Sequence, residues 1–538
     1  MRIATQAGLF GLVSLANAVQ YGYNHVPVLR DPHHVAVHFE PVDIDLYSPA
    51  FLSPEGRQPG FSNGTQGPTS HEVMESYIKE IASRNDYMTY KTANFTSEER
   101  RSFPYVYLST SSAHGHPCHH GNSSEKIRVW VQGAQHGNEP AGDESLLALL
   151  GQFDHDPSWA AEILDKLDII VLPRANPDGA YYFQRVLATN LDPNRDHIKL
   201  HRPQSRDLKA LFGGFGPHMV IDMHEYGATT QYGRYYHAAD GLFAAAKNLN
   251  IHRAIRALSE DLFAKNIADA MDERGLRWEP YVTGASSADL DFVPHFNEAG
   301  TDAKIGRNAL GLTQTVTFLI EARGIYLADQ EFQRRTAASL VMATSILDTA
   351  TQNAEEVYRT IEDGIEDFIR SDDDIVLTDY TEVGGRLFTM VDHTNGSLAR
   401  VPVTFASATP ARVNQTRSRP EAYLIPVAWA DAVDRLRAGG LAVETLEQPW
   451  SGTVEALTIK TARIGGSYYE GAVRVSATAE VNRRELTLPT GSFLVSTRQR
   501  NAAIAFVALE PENIDSYVSF NIIPVKPGDE YPVFRVMS

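Results

Sequence analysis

From about residue 70 to residue 350, short apolar runs alternate with helical patterns, and that alternation leaves few folds open. Ile127-Arg128-Val129-Trp130-Val131 reads as a strand, and Glu144 to Leu150 as the helix after it. Leu167 to Leu172 (LDIIVL), Met219 to Ile221 and Val316 to Ile320 (VTFLI) are further short buried strands. Strands of this kind alternating with helices predict an α/β fold with a largely parallel sheet covered by helices on both faces. In open sheets of this class, ligands bind beyond the carboxyl ends of the strands. Each strand end here delivers a polar group: His136 and Glu139, then Asn176, then His224, then Glu321.

Those polar groups have a metal-binding pattern. Gln135-His136-Gly137-Asn138-Glu139 offers two ligand side chains three residues apart directly after a strand, and Ile221-Asp222-Met223-His224-Glu225 supplies a second histidine after another. Two imidazoles and one carboxylate leave one coordination position open for water, the arrangement of a catalytic zinc, so one Zn2+ per chain is expected. Four companion motifs follow in order: Asn176-Pro177-Asp178-Gly179, then Arg185, then Asp192-Pro193-Asn194-Arg195, then Phe318 to Gly324 (FLIEARG).

In order and spacing these residues resemble the zinc metallocarboxypeptidase family, the carboxypeptidase A-like enzymes, over residues from about 70 to 345. The resemblance implies a mixed, mostly parallel sheet between helices. It implies that His136, Glu139 and His224 bind zinc and that Glu321 is the general base and acid. Arg185 matches the arginine that polarises the scissile carbonyl. Asn194 and Arg195 match the pair that grips a terminal carboxylate, and a planar guanidinium suits that task because it donates two parallel hydrogen bonds. Asp192 matches the carboxylate that orients a zinc histidine from behind. The family also places a mobile tyrosine over the substrate, a short way before the catalytic glutamate. That window holds no tyrosine here, and Tyr281 is the candidate. The expected partner is a peptide with a free C-terminal carboxylate; the preferred terminal side chain stays open.

The remaining chain sets the context. With 538 residues, two or three domains are expected. Residues 1–18 carry Arg2, an apolar run and Ala16-Asn17-Ala18, the pattern of a removable signal peptide. No later stretch approaches the roughly 20 apolar residues of a membrane helix, so no membrane span is expected. Sequons at Asn63, Asn94, Asn122, Asn395 and Asn414 agree with a secreted, extracellular glycoprotein. Cys118 is the sole cysteine, which excludes an intrachain disulfide. The net charge of −19 argues against nucleic-acid partners.

Residues 19–70 predict an irregular segment, 71–370 the catalytic domain and 375–538 a smaller β-rich C-terminal domain, with Asp372 to Asp374 as a solvated linker. Whether 19–70 is a propeptide stays open. The histidine-rich run His114 to His120 reads as a polar loop, and Gly60-Phe61-Ser62-Asn63-Gly64 fits a nucleophile elbow but follows no strand. Two rival functions remain. One is a zinc amidase or deacylase acting on acyl-amino acids or cell-wall peptides with the same metal triad. The other is an inactive peptide-binding protein on the same fold, against which stands the full set of ligands and base.

Overall fold

The structure, a computed structural model, describes residues 29–52, 68–110 and 126–538, with the backbone of a two-residue ribbon at Gln20–Tyr21 and Asn24–His25. The signal-like segment, Gly60 to Gly64, His114 to His120 with Cys118, and the sequons at Asn63 and Asn122 lie outside the described residues.

Eight strands form the central sheet: β1 (Met88–Thr92), β2 (Pro104–Leu108), β3 (Ile127–Gly133), β4 (Leu167–Leu172), β5 (Met219–Gly227), β6 (Gly241–Ala245), β7 (Trp278–Pro280) and β8 (Val316–Ile325). Their spatial order is β7-β6-β8-β5-β3-β4-β2-β1. The central run β8-β5-β3-β4 is parallel throughout, and antiparallel pairs join it to β6 on one side and β2 on the other. This is the mixed, mostly parallel sheet expected.

The apolar runs are continuous because each strand feeds two cores at once. Side chains alternate between faces along a strand. Val129, Val131, Ile169, Val171, Met219 and Ile221 enter one cluster with Leu146 and Leu150 of the helix Pro140–His155 and Met342 of the helix Phe332–Gln352. Trp130, Ile170, Leu172 and Val220 enter another with Phe212 and Phe215 of the helix Pro203–Phe215 and with Leu310. A strand buried on both faces has no polar side to show.

Two strands outrun their apolar patterns. β5 continues to Gly227 and β8 to Ile325, so His224 and Glu321 lie within the sheet, paired in register with each other, rather than just after it. The parallel ladder continues through polar residues there; the hydrophobic signal stops where the site begins.

Past Ile375 the chain turns β-rich, with further antiparallel sheets. The ribbon Ile375–Asp392 with Leu398–Arg417 pairs with Tyr235–His237 along one edge and with His295–Glu298 along the other. A second ribbon, Trp450–Tyr469 with Ala472–Leu488, belongs to a six-stranded sheet. These strands are far longer than the short runs read from sequence. Residues 382–387 and 463–468 are exposed on both faces, so no apolar alternation marks them. The helix Ala502–Leu509 is buried at every position, and one hydrophobic cluster extends from Leu46 to Val533. Within the acidic run, Asp372 pairs with Arg498 while Asp373 and Asp374 are exposed.

The described part of the N-terminal segment, 29–52, packs on the outside of the sheet. Val35 and Phe39 bury against Ala238 and Val391. Asp31 accepts a 2.5 Å bond from Arg323 near the end of β8.

Candidate metal centre and active site

The first ligand loop is held by a contact between two backbones. β3 ends at Gly133, the chain turns through His136, and Glu139 becomes the N-cap residue of the helix Pro140–His155, with Pro140 at its first position. Gly137 rests directly on Gly179: a Cβ at Gly137 would stand 1.8 Å from the Gly179 carbonyl carbon. Only glycine fits there. Asn176 ties the two loops together, its oxygen accepting from Gly179 N at 2.9 Å and its amide donating to the Gln135 carbonyl at 3.3 Å. The Asn176-to-Gly179 motif is therefore scaffolding for the ligand loop.

His136, Glu139 and His224 are buried, with one ligand atom from each within 4.8 Å of the others. His136 Nδ1 lies 2.8 Å from Glu139 Oε1, and His224 Nδ1 lies 2.8 Å from Oε2 of the same carboxylate. The two Nδ1 atoms are 3.1 Å apart. Each outer nitrogen faces a separate acid: His136 Nε2 lies 3.1 Å from Asp192 Oδ1, and His224 Nε2 lies 3.2 Å from Asp222 Oδ2. Acids behind both rings favour protons on Nε2 and leave both Nδ1 lone pairs aimed at one point. Two imidazole nitrogens and a carboxylate, converging in a buried place, are the donor set zinc prefers.

Sequence reasoning places Asp192 behind a histidine, and the geometry puts it there. It missed Asp222. That residue lies two positions before His224, on the same face of β5, and this spacing was its available signal. Trp130 Nε1 donates to Gln132 at 2.8 Å and Gln132 to Asp222 at 2.9 Å, a chain of buried polar groups running out to His224.

The other expected residues gather at the same place. Glu321 lines a cavity of about 570 Å3 together with His136, Glu139, Arg185, Asn194 and Arg195. Arg185 donates from Nε to Asp192 at 3.0 Å and from Nη1 to Glu139 at 3.2 Å. Asn194 accepts from Gly306 N at 2.7 Å, and its amide nitrogen lies 3.5 Å from His224 Nε2. Among the described residues, Arg195 donates to the Asn194 carbonyl alone, at 2.7 Å.

The model of the M14 peptidase family, described as zinc carboxypeptidase, matches residues 74–225. The chain is 52% identical over 525 residues to carboxypeptidase 2 of Trichophyton equinum, covering 97% of this chain and 96% of that one. It is 52% identical over 524 residues to carboxypeptidase 2 of Trichophyton rubrum, with the same coverage. The chain belongs to the M14 family of zinc carboxypeptidases. Among solved structures, carboxypeptidase A from Helicoverpa armigera overlaps with a TM-score of 0.38 at 16% identity, covering 54% of this chain and 75% of that one.

Electrostatics in this carboxypeptidase site separate two glutamates that lie side by side. Burial opposes charge on Glu139, but the imidazoles of His136 and His224 outweigh it and hold the carboxyl well below the usual range. Burial pushes Glu321 up to about 8; His224 pulls against the shift and Glu139 adds to it. Similar acids pushed in opposite directions point to a ligand and a proton carrier. Tyr281 lines the same cavity, its hydroxyl raised by burial and by the nearby Glu321.

Proposed function

We propose that this zinc carboxypeptidase hydrolyses the C-terminal peptide bond of peptides, with Glu321 carrying the proton, and that it works outside the cell that makes it. One observation carries the reading: a single cavity is lined by Glu321, by Arg185 and Arg195, and by His136 and Glu139 of the donor set that His224 completes.

A zinc ion held by the three ligands supplies Lewis acidity, polarising a carbonyl and lowering the pKa of water toward about 7. Glu321 takes the proton of the attacking water and returns it to the leaving amine nitrogen, a task that a raised carboxyl pKa favours. Arg185, clamped by Asp192 and Glu139, keeps its charge fixed beside the ligand set, where the carbonyl oxygen turns negative. Arg195 has no carboxylate within ion-pair distance among the described residues, so its fork is free for a terminal carboxylate. Extracellular location is supported by the signal-like residues 1–18 and by the exposure of Asn94, Asn395 and Asn414, the sequon positions within the described residues.

Blocked dipeptides test the chemistry. Release of the last residue, abolished by a chelator and restored by zinc, is the expected result; cleavage confined to acyl-amino acids would move the protein to the amidases. Glu321→Gln should still bind zinc yet lose about 100- to 10,000-fold in turnover. A variant with undiminished turnover would remove Glu321 from the reaction.

A further inference from the structure

One wall of the cavity lined by His136, Glu139 and Glu321 is the edge of a sheet. Tyr281, Val282, Thr283 and Gly284 line it in unbroken succession. The last three form the strand Val282–Gly284, which pairs antiparallel with His295–Glu298 on one side and stands at the end of its sheet. The rest of that sheet comes largely from beyond residue 375, because His295–Glu298 pairs in turn with Leu398–Arg417, and that strand with Ile375–Asp392. Thr381 of the same ribbon also lines the cavity.

The direction of the unused backbone groups follows from the pairing. Along a strand, successive residues turn their N–H and C=O groups to opposite edges, so only alternate residues exchange bonds with a given neighbour. Ala299 N donates to the Tyr281 carbonyl at 3.0 Å; in the same register Thr283 faces Asn297, and Val282 and Gly284 turn their N–H and C=O groups outward. The partner strand obeys the same alternation. Thr404 N donates to the Pro294 carbonyl at 3.0 Å, which turns Phe296 and Glu298 toward Leu398–Arg417 and leaves Asn297 to face Thr283. Among the described residues, nothing bonds the outer groups of Val282 and Gly284. An open edge is a template for another chain, and proteins ordinarily blunt or cover one. Here it borders the cavity of a peptide-cleaving site.

We propose that the substrate chain upstream of the cleaved bond adds to Val282–Gly284 as a further strand, held by main-chain hydrogen bonds to Val282 and Gly284. The proposal rests on the carboxypeptidase reading above and says how that site holds the body of a peptide rather than its last residue. Strand addition draws its affinity from the backbone, so it needs an extended chain long enough to lie along the edge. A longer peptide gains from it and a blocked dipeptide does not. It also gives the β-rich part of the chain a share in binding, since its ribbon backs the strand on which the substrate would pair.

The test is a series of N-blocked peptides with the same last residue and a growing number of residues before the cleaved bond, from one to four, assayed with the zinc-loaded full chain. From the shortest to the longest, kcat/KM should rise at least about tenfold, the scale of two net hydrogen bonds. Single N-methyl groups on the longest peptide then give the signature of pairing. Placed in turn on the second, third and fourth residues upstream, they should cost at least about fivefold at alternate positions and little between, because only alternate N–H groups of a paired strand face its neighbour. No gain with length overturns the proposal while leaving the carboxypeptidase reading intact. A gain without that alternation also overturns it, since the contact is then not strand pairing. No residue released from any peptide overturns both. A Cβ at Gly284 would stand 2.8 Å from the His295 carbonyl oxygen, so the variant is Val282→Pro, at the first residue of the strand, where an edge tolerates proline. Without that N–H the gain from shortest to longest should shrink at least about threefold, and an undiminished gain overturns the proposal. If Val282→Pro does not fold, the methyl scan on the wild-type enzyme decides.

Discussion

At the scale of single residues, the ligands were legible because their chemistry is local. His136 and Glu139 share one loop, and His224 ends a run that no other pattern explains. The acids behind them were legible by half: Asp192 stood in a motif, whereas Asp222 looked like part of an apolar strand. Lys209 escaped notice altogether. It is buried in the helix Pro203–Phe215, donates to the Ala309 carbonyl at 3.1 Å, and has no acid within ion-pair distance among the described residues. Burial alone pushes its amine down to about 7. Between about pH 7 and 10.5 the unfolded chain therefore holds a proton that the folded one has released, and stability rises with pH across that window. Lys209→Met should stabilise the protein, most below pH 7, with the advantage fading above it by at most about 1.4 kcal/mol per pH unit. Urea titrations of both proteins at pH 6 and pH 9 check this; an advantage independent of pH would refute the buried charge as its source.

At the scale of elements, strands buried on both faces were easy to read and strands exposed on both faces were not. β4 matches its apolar run residue for residue, Leu167–Leu172, because two cores demand it. The ribbon Trp450–Tyr469 with Ala472–Leu488 is exposed on both faces through residues 463–468 and left only fragments of pattern. Its tip has a function that sequence could not suggest. Glu470 and Gly471 both have positive φ, the geometry of a two-residue hairpin turn, and Glu470 accepts a 2.8 Å bond from Asp192 N. A hairpin some 280 positions away in sequence thus steadies the turn that carries Asp192, Asn194 and Arg195. Glu470→Ala removes a charge-assisted bond, and kcat/KM should fall about tenfold, mostly through KM. Steady-state kinetics at saturating zinc identical to wild type would show that the tip only touches the loop.

At the scale of the whole molecule, the family and fold were legible from about 70 to 345, and the rest was not, because resemblance stops there and the later strands lack alternation. What sequence presents as an appended unit is woven into the enzyme: the ribbon Ile375–Asp392 pairs with Tyr235–His237, and the cluster that contains Val129 also contains Tyr423 and Val507. The outermost layer bears on where the enzyme works. If it is exported, the protein recovered from the medium should begin after Ala18 and lose mass on treatment with an N-glycan-removing enzyme. A chain retained in the cell with Met1 in place would contradict extracellular action.

The register of β8 on β5 has one more consequence. His224 and Glu321 stand opposite each other as ladder partners. Because side chains alternate, a slip of one position would turn the Glu321 carboxylate to the far side of the sheet, away from the imidazole. No sliding adjustment can bring the Glu321 carboxylate partway toward the ligand set. If Glu321 carries the proton, a chain that mispairs these strands loses that group from the site altogether, so misregistered sheets should show as inactive protein rather than as enzyme of lowered activity.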